Sequence, residues 1–349
     1  MDTIVKAPLV SVIMPVYNCG MFVAEAIESI LKQTFREFEL IIVDDHSSDN
    51  TVKLIESYHD QRINLVKKER NTGYVDSLNL AIQISRGKFL ARMDGDDICV
   101  ATRLEKQVRL LYSDPEIALC GTWYQLIPSN TVLQLPVDHE EIKIALLDYC
   151  ALGHPTVMIR KNFIEDNKLN YRPEFRPAED YELWTRIAPI GKMANIPEVL
   201  LFYRTHEQQV SNREQENRLE HSLAIRAKML CYPLAEFTDR DFRIGKVVAG
   251  GQKTPDIAGL TEVMDWLDRL NIANTLTSFF AIPQFSAYIE QKKAAFVRAF
   301  YLNTTPYNPS VLFRFLKEKK RFAEYLSELE QVKLALKCLF FWKPGLQGQ

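Results

Sequence analysis

Three carboxylates fall within four residues at Asp94-Gly95-Asp96-Asp97, directly after the apolar run Phe89–Met93. Charges that close repel one another, and a tight turn tolerates them only if a cation or a network of donors offsets the repulsion. Hard oxygen ligands of this kind suit Mg2+ or Mn2+, ions that commonly bridge carboxylates to ligand phosphates. A solvated turn that caps the helical segment near Ala101 is the plainer reading. Asp44-Asp45-His46-Ser47-Ser48-Asp49 also follows an apolar run. One Asp there could accept from the base or ribose of a nucleotide, or the whole could be a capped loop. Glu179-Asp180 opens a helical stretch, where the macrodipole favours carboxylates. A carboxylate so placed could also act as general base towards a hydroxyl. His206, in Tyr203-Arg204-Thr205-His206, reads as a hydrogen-bonded structural residue or as a metal ligand.

The elements that must position these residues alternate in the N-terminal part. Leu9–Val16, Phe38–Val43, Ile63–Val66 and Phe89–Met93 are apolar runs of strand length. Between them, Phe22, Val23, Ala26, Ile27, Ile30 and Leu31 recur at helical spacing, Ser48 or Asp49 can cap a helix reaching about Tyr58, and Val75, Leu78, Leu80, Ala81 and Ile84 mark a third helix. This rhythm predicts a mainly parallel sheet covered by helices, in which ligands bind at the carboxyl ends of strands. Tyr17-Asn18, Asp44-Asp45 and Asp94–Asp97 all stand at such ends. Further along, His154–Ile159 and Glu198–Tyr203 read as strands and Ala178–Ile187 as a helix. Beyond about residue 212–220 the pattern becomes mainly helical, over Arg213–Leu230, Leu260–Leu270, Ser286–Ala299 and Val311–Trp342. The expected division is an α/β domain over 1–215 and a helical domain over 216–349.

The length, 349 residues, accommodates two such units, and 47% hydrophobic with 25% charged residues excludes a disordered or collagenous chain. With 43 basic and 45 acidic residues, no global basic field points to nucleic acid. Six cysteines without a CxxC pair read as thiols in a reducing compartment, with neither zinc nor disulfides expected. Met1–Pro8 lacks the apolar core of a signal peptide, and no apolar run approaches the roughly 20 residues that cross a bilayer. The expectation is a soluble, cytoplasmic protein.

In order along the chain, Val10–Asn18, Ser29–Phe35, Ile41–Asp49, Asn71-Thr72-Gly73, Asp94–Asp97, Glu179-Asp180 and Tyr203–His206 closely resemble the motifs of family 2 glycosyltransferases, over roughly residues 8–212. Within that family the chain looks most like bacterial enzymes that build lipopolysaccharide, capsule or other surface glycans. The resemblance implies a GT-A fold, a nucleotide-diphosphate sugar donor (usually a UDP-sugar), Mn2+ or Mg2+, inversion at the anomeric carbon and a glycan or lipid-linked glycan acceptor. It also implies residue roles. Tyr17 would lie against the base with Pro15 shaping the backbone beside it, and Asp45 would accept from the uracil imide. Asp94 would lie near ribose and metal, Asp96 and His206 would hold the ion, and Asp180 would be the base, with Glu179 orienting the acceptor. The chain lacks the Gln-x-x-Arg-Trp motif of processive members, so transfer of one sugar per encounter is expected. Two other readings are weaker. A sugar-nucleotide pyrophosphorylase would need a Gly-rich basic loop where Pro15–Gly20 stands, and an inactive scaffold would be expected to have lost Asp96 or Asp180.

Residues 311–349 carry eight lysines and arginines against four glutamates. Phe322, Leu326, Leu329, Val332, Leu336, Leu339 and Phe340 recur at helical spacing, followed by Phe341-Trp342. The stripe either packs against the catalytic domain or a second subunit, or lies in an anionic membrane surface at the cytoplasmic face of the inner membrane.

Overall fold

The computed structural model describes residues 7–206, 214–251, 256–302 and 307–340. The chain divides into two compact units, residues 1–225 and 226–349.

In the first unit, β1 (Val10–Val16), α1 (Val23–Leu31), β2 (Phe38–Asp44), α2 (Thr51–Glu56), β3 (Ile63–Lys67), α3 (Tyr74–Ile84) and β4 (Phe89–Arg92) follow the expected alternation. Strands β1 and β2 are buried along their whole length, which is why they read as unbroken apolar runs rather than as alternating ones. The buried residues of α1 include Val23, Ala26, Ile27 and Ile30, the i, i+3, i+4, i+7 face. Val23, Ile27 and Ile30 each contribute on the order of 1.5–3 kcal/mol by leaving water. One polar link crosses this core: Ser11 Oγ donates to Glu39 Oε1 at 2.6 Å, and Arg86 Nη2 donates to the other oxygen at 2.7 Å. The buried carboxylate is thus paired and hydrogen-bonded, as burial requires.

The sheet continues with β5 (Ile98–Cys99), α4 (Arg103–Ser113), β6 (Ile117–Ile127), β7 (Val132–Leu133), α5 (His139–Ala145), β8 (Met158–Arg160), α6 (Lys161–Asp166), α7 (Glu179–Ile187) and β9 (Lys192–Arg204). Strand order is β3-β2-β1-β4-β8-β6-β9-β5, with β7 on β6. Strands β1 to β4 are mutually parallel, as are β6 and β9, whereas β8 and β5 run antiparallel to their neighbours. Strand β9 starts earlier than Glu198 because β6 pairs with it from Lys192; between Ile196 and Val199 the register slips around Pro197, which has no N–H to give the ladder.

Two local expectations are corrected. His154–Ile159 is not one strand: Pro155 cannot donate, and Thr156 N and Oγ1 turn back to Gly153 O at 2.8 and 2.7 Å, closing a 3-10 turn before β8. Helix α2 is capped by neither Ser48 nor Asp49; Asn50 is its N-cap and it ends at Glu56. Asp49 instead accepts from Thr51 N at 2.9 Å and from Gly20 N at 3.0 Å, tying the second βα loop to the first.

The second unit is helical. Its described residues include α8 (Gln215–Leu230, shared with the first unit), α9 (Asp239–Gly250), α10 (Ile257–Thr277) and α11 (Ile282–Leu302). Its core holds Trp266, Phe280, Phe285, Tyr301 and Phe322. Trp266 Nε1 donates to buried Asp241 at 2.9 Å, and Asp241 also closes the capping box that starts α9. The predicted helical stretch Val311–Trp342 is not continuous. It breaks into α12 (Pro309–Lys317), α13 (Lys319–Phe322), a 3-10 turn and α14 (Glu328–Leu339), because Ser327 and Glu330 form a second capping box that restarts the helix. Phe341, Trp342 and Lys343 lie outside the described residues. Among the described residues no helix is long and apolar enough to cross a membrane.

Candidate active site

The parallel register brings three loops to one sheet edge. Asp45 N donates to Val16 O at 2.9 Å and Met93 N to Ile13 O at 3.1 Å, so the residues after β1, β2 and β4 emerge side by side. Tyr17, after β1, is 49% exposed and Pro15 lies buried within the strand. Asn18 Oδ1 accepts from Ser48 N at 2.8 Å and locks the first loop to the second.

Asp45 is buried and carries a dense set of donors. Its Oδ1 accepts from Lys68 Nζ at 2.6 Å and Thr72 N at 3.0 Å, and its Oδ2 from Gly73 N at 2.8 Å. A carboxylate offers about four acceptor positions, so one on Oδ2 remains for an incoming N–H. Gly73 has φ +95, a conformation that L side chains rarely adopt, and it is the N-cap of α3.

After β4, ligand atoms of Asp94, Asp96 and Asp97 lie within 4.8 Å of one another. Gly95 is required there, because a Cβ would stand 2.8 Å from Val16 Cγ1. Arg92 pairs with Asp94, and buried Arg103 donates to Arg92 O at 2.7 Å, which fixes the strand end from behind. Asp97 Oδ1 accepts from Arg204 N at 2.9 Å, and Arg204 Nε donates to Asp96 O at 2.8 Å. His206 Nε2 meets Asp96 Oδ2 at 2.9 Å, and its ring packs on Phe22 with centroids 5.1 Å apart. The end of β9 thereby closes over the acidic turn. Burial, then the neighbouring carboxylates Asp94 and Asp96, push the Asp97 carboxyl well above its ordinary range, and its Oδ2 is buried with no hydrogen-bond partner. Three crowded carboxylates, an orphaned oxygen and an imidazole nitrogen make a donor set that fits a hard divalent cation.

Glu179 and Asp180 stand at the N-terminus of α7, as the sequence predicts. Glu179 Oε2 accepts from the Tyr74 hydroxyl at 2.8 Å; Asp180 Oδ1 accepts from Tyr181 N at 2.7 Å, and the Cys150 thiol points at its Oδ2 from 3.7 Å. Burial and the adjacent Asp180 charge push Glu179 up to about 7. Burial also raises Asp180, opposed by the Tyr181 N–H and by Arg92. His154 approaches Glu179 at 3.8 Å, but burial and Arg92 hold its pKa far below normal, so it is a neutral ring bonded to the Tyr171 hydroxyl at 3.0 Å. Arg92 is the cation whose charge acts on both Asp94 and Asp180. Tyr124 feels both Asp97 and Asp180.

Of the residues singled out by sequence, Pro15, Tyr17, Asp45, Asp94, Asp96 and His206 stand at the carboxyl ends of the strands, and Glu179 is tied by Tyr74 to the helix that follows the Asp45-binding loop. Sequence reasoning missed Tyr74, Arg92, Lys68, Cys150 and Arg204. Arg92 precedes the acidic turn and Tyr74 follows Asn71-Thr72-Gly73, so position offered a signal for two of them. The partner of Cys150, Asp180, is distant in sequence, and no local pattern marked that thiol.

A mixed sheet with polar loops at the carboxyl ends of its first strands and an acidic turn beside them is the arrangement of the GT-A fold. Residues 11–171 match the family model "Glycosyl transferase family 2". The chain is 32% identical over 243 residues to an uncharacterized glycosyltransferase of Haemophilus influenzae, covering 66% of this chain and 75% of that one. It is 34% identical over 180 residues to WfgD of Escherichia coli, named UDP-Glc:alpha-D-GlcNAc-diphosphoundecaprenol beta-1,3-glucosyltransferase, covering 51% of this chain and 69% of that one. In fold it is similar to Staphylococcus aureus TarS solved with UDP-GlcNAc, at TM-score 0.56 and 17% identity over 83% of this chain and 90% of that one. This chain belongs to glycosyltransferase family 2.

Proposed function

We propose that the protein is a metal-dependent, inverting transferase that moves one sugar from a UDP-sugar to a hydroxyl of a bacterial surface glycan on the cytoplasmic side. Residues 1–215 would hold the catalytic site and 216–349 the contacts to acceptor, membrane surface or another subunit. The observation that carries the reading is the acidic turn Asp94–Asp97, whose ligand atoms lie within 4.8 Å of one another and which the end of β9 closes through His206 and Arg204. WfgD supports a UDP-sugar donor and a lipid-diphosphate-linked acceptor, and TarS supports a UDP-sugar donor.

In this reading the Tyr17 ring stacks on the base and Asp45 Oδ2 accepts its imide N–H, with Pro15 holding the backbone beside it. Asp96 and His206 would hold Mn2+ or Mg2+, with Asp94 between ion and ribose. The cation, when bound, supplies stabilisation of the charge that grows on the departing diphosphate. Asp180 takes the proton of the acceptor hydroxyl as its oxygen bonds to the anomeric carbon and the bond from that carbon to the diphosphate oxygen breaks. A single displacement with a single base inverts the centre. Glu179 orients the acceptor.

Incubation of the protein with a panel of UDP-sugars, with and without Mn2+, tests the reading through release of UDP. Release that needs the ion and one sugar supports it, and no release from any donor under either condition rejects it.

A further inference from the structure

The outer face of α14 is apolar. Leu329, Val332, Leu336, Leu339 and Phe340 are 62, 55, 49, 57 and 77% exposed, whereas Leu334 and Cys338 fill the inner face. At 100° per residue the five exposed side chains fall on one side of the helix, with exposed Lys333 at one margin and exposed Glu328 at the other. Helix α12 repeats the arrangement: Phe315 is buried, Phe313 and Leu316 are 70 and 55% exposed, and Arg314 and Lys317 are exposed beside them. Exposed Lys319 and Lys320 follow. The apolar stripe read from the sequence is therefore split. Phe322 and Leu326 are buried, while the part from Leu329 onwards turns to solvent, with the inner face filled by other residues.

A soluble helix normally buries its apolar side, so five large apolar groups on the outer side mark a surface made to be covered. We propose that α12 and α14 dock on an anionic lipid bilayer, their exposed apolar side chains entering the acyl boundary and Arg314, Lys317, Lys319, Lys320 and Lys333 meeting lipid phosphates. The excess of base on α12 and just after it (Arg314, Lys317, Lys319 and Lys320) selects this occupant: a second copy meeting α12 would bring like charges together, whereas an anionic surface neutralises them. A lipid-linked acceptor, which the transferase reading favours, would be met at that surface, but the docking is a separate property and vesicle binding is measured without donor.

The experiment is sedimentation of the full chain with vesicles of phosphatidylcholine alone or mixed with phosphatidylglycerol. Binding is expected only with the anionic lipid, weakening as salt rises. Leu336→Gln with Leu339→Gln should lower it on the order of tenfold or more, by removing buried apolar area. Lys333→Gln with Lys317→Gln should lower it on the order of fivefold per charge. UDP release from the donor should be unchanged in both variants, which separates this proposal from the functional reading, and circular dichroism checks their fold. Equal recovery with neutral and anionic vesicles, unchanged binding of the variants, or a concentration-dependent dimer that the leucine variant dissolves without any vesicle binding would overturn it.

Discussion

Tyr74 donates its hydroxyl to Glu179 Oε2 at 2.8 Å across 105 positions of sequence, linking the first turn of α3 to the first turn of α7. The loop before α3 carries Thr72 and Gly73, whose N–H groups bind Asp45. A nucleotide engaging Asp45 and an acceptor engaging Asp180 would therefore share one hydrogen-bonded frame. Tyr74→Phe removes a donor to a buried carboxylate, worth roughly 1.5–3 kcal/mol for a charged acceptor. Glu179 then stays neutral to higher pH and repels Asp180 less, so the acidic limb of the pH–rate profile, set by the base, should move down. A profile identical to wild type would show that Glu179 does not influence the base.

Glu179 also has a consequence for stability. Its folded value, about 7, lies above the ordinary 4.5, so its contribution to stability is fully present below the unfolded value and is lost as pH rises through the folded one. Glu179→Gln cannot ionise and still accepts from Tyr74. The variant should gain on the order of 2 kcal/mol over wild type at pH 8 and little at pH 4. Urea unfolding at the two pH values measures this, and an equal difference at both would contradict the burial argument.

Asp96→Ala removes the carboxylate that His206 meets at 2.9 Å. Turnover should fall about a hundredfold or more, as when other stabilisers of developing charge are lost. Calorimetry with Mn2+ should show weakened ion binding in the same variant. Wild-type activity that survives EDTA would remove the metal from the mechanism.

Asp180→Asn and Asp45→Ala should separate chemistry from binding. The first preserves shape and abolishes the base, so UDP affinity should persist while turnover collapses. The second removes the carboxylate that Lys68, Thr72 N and Gly73 N share, loosening the loop before α3. UDP affinity should then drop about tenfold or more. Normal turnover in the Asp180 variant would eliminate that residue as the base.

The first four strands, the helices between them and the polar loops at their ends were legible in the sequence because local patterning decides them. A strand buried on both faces must be apolar throughout, and its end must turn polar where it meets solvent and ligand. Asp45, Asp94, Asp96, Glu179 and Asp180 were conspicuous because crowded charge at a strand or helix end needs a reason. Local pattern did not decide the Pro197 bulge that lengthens β9, or the 3-10 turn at His154–Thr156, where hydrogen bonds back to Gly153 win over extension. Nor did it reveal that Arg92 pairs with Asp94 while its charge also acts on Asp180, or that α14 turns leucines outward while Leu334 and Cys338 face in. Periodicity states that a helix has an apolar side. Which side is covered depends on what folds against it, and Coulomb energies depend on distances through space that sequence separation does not encode.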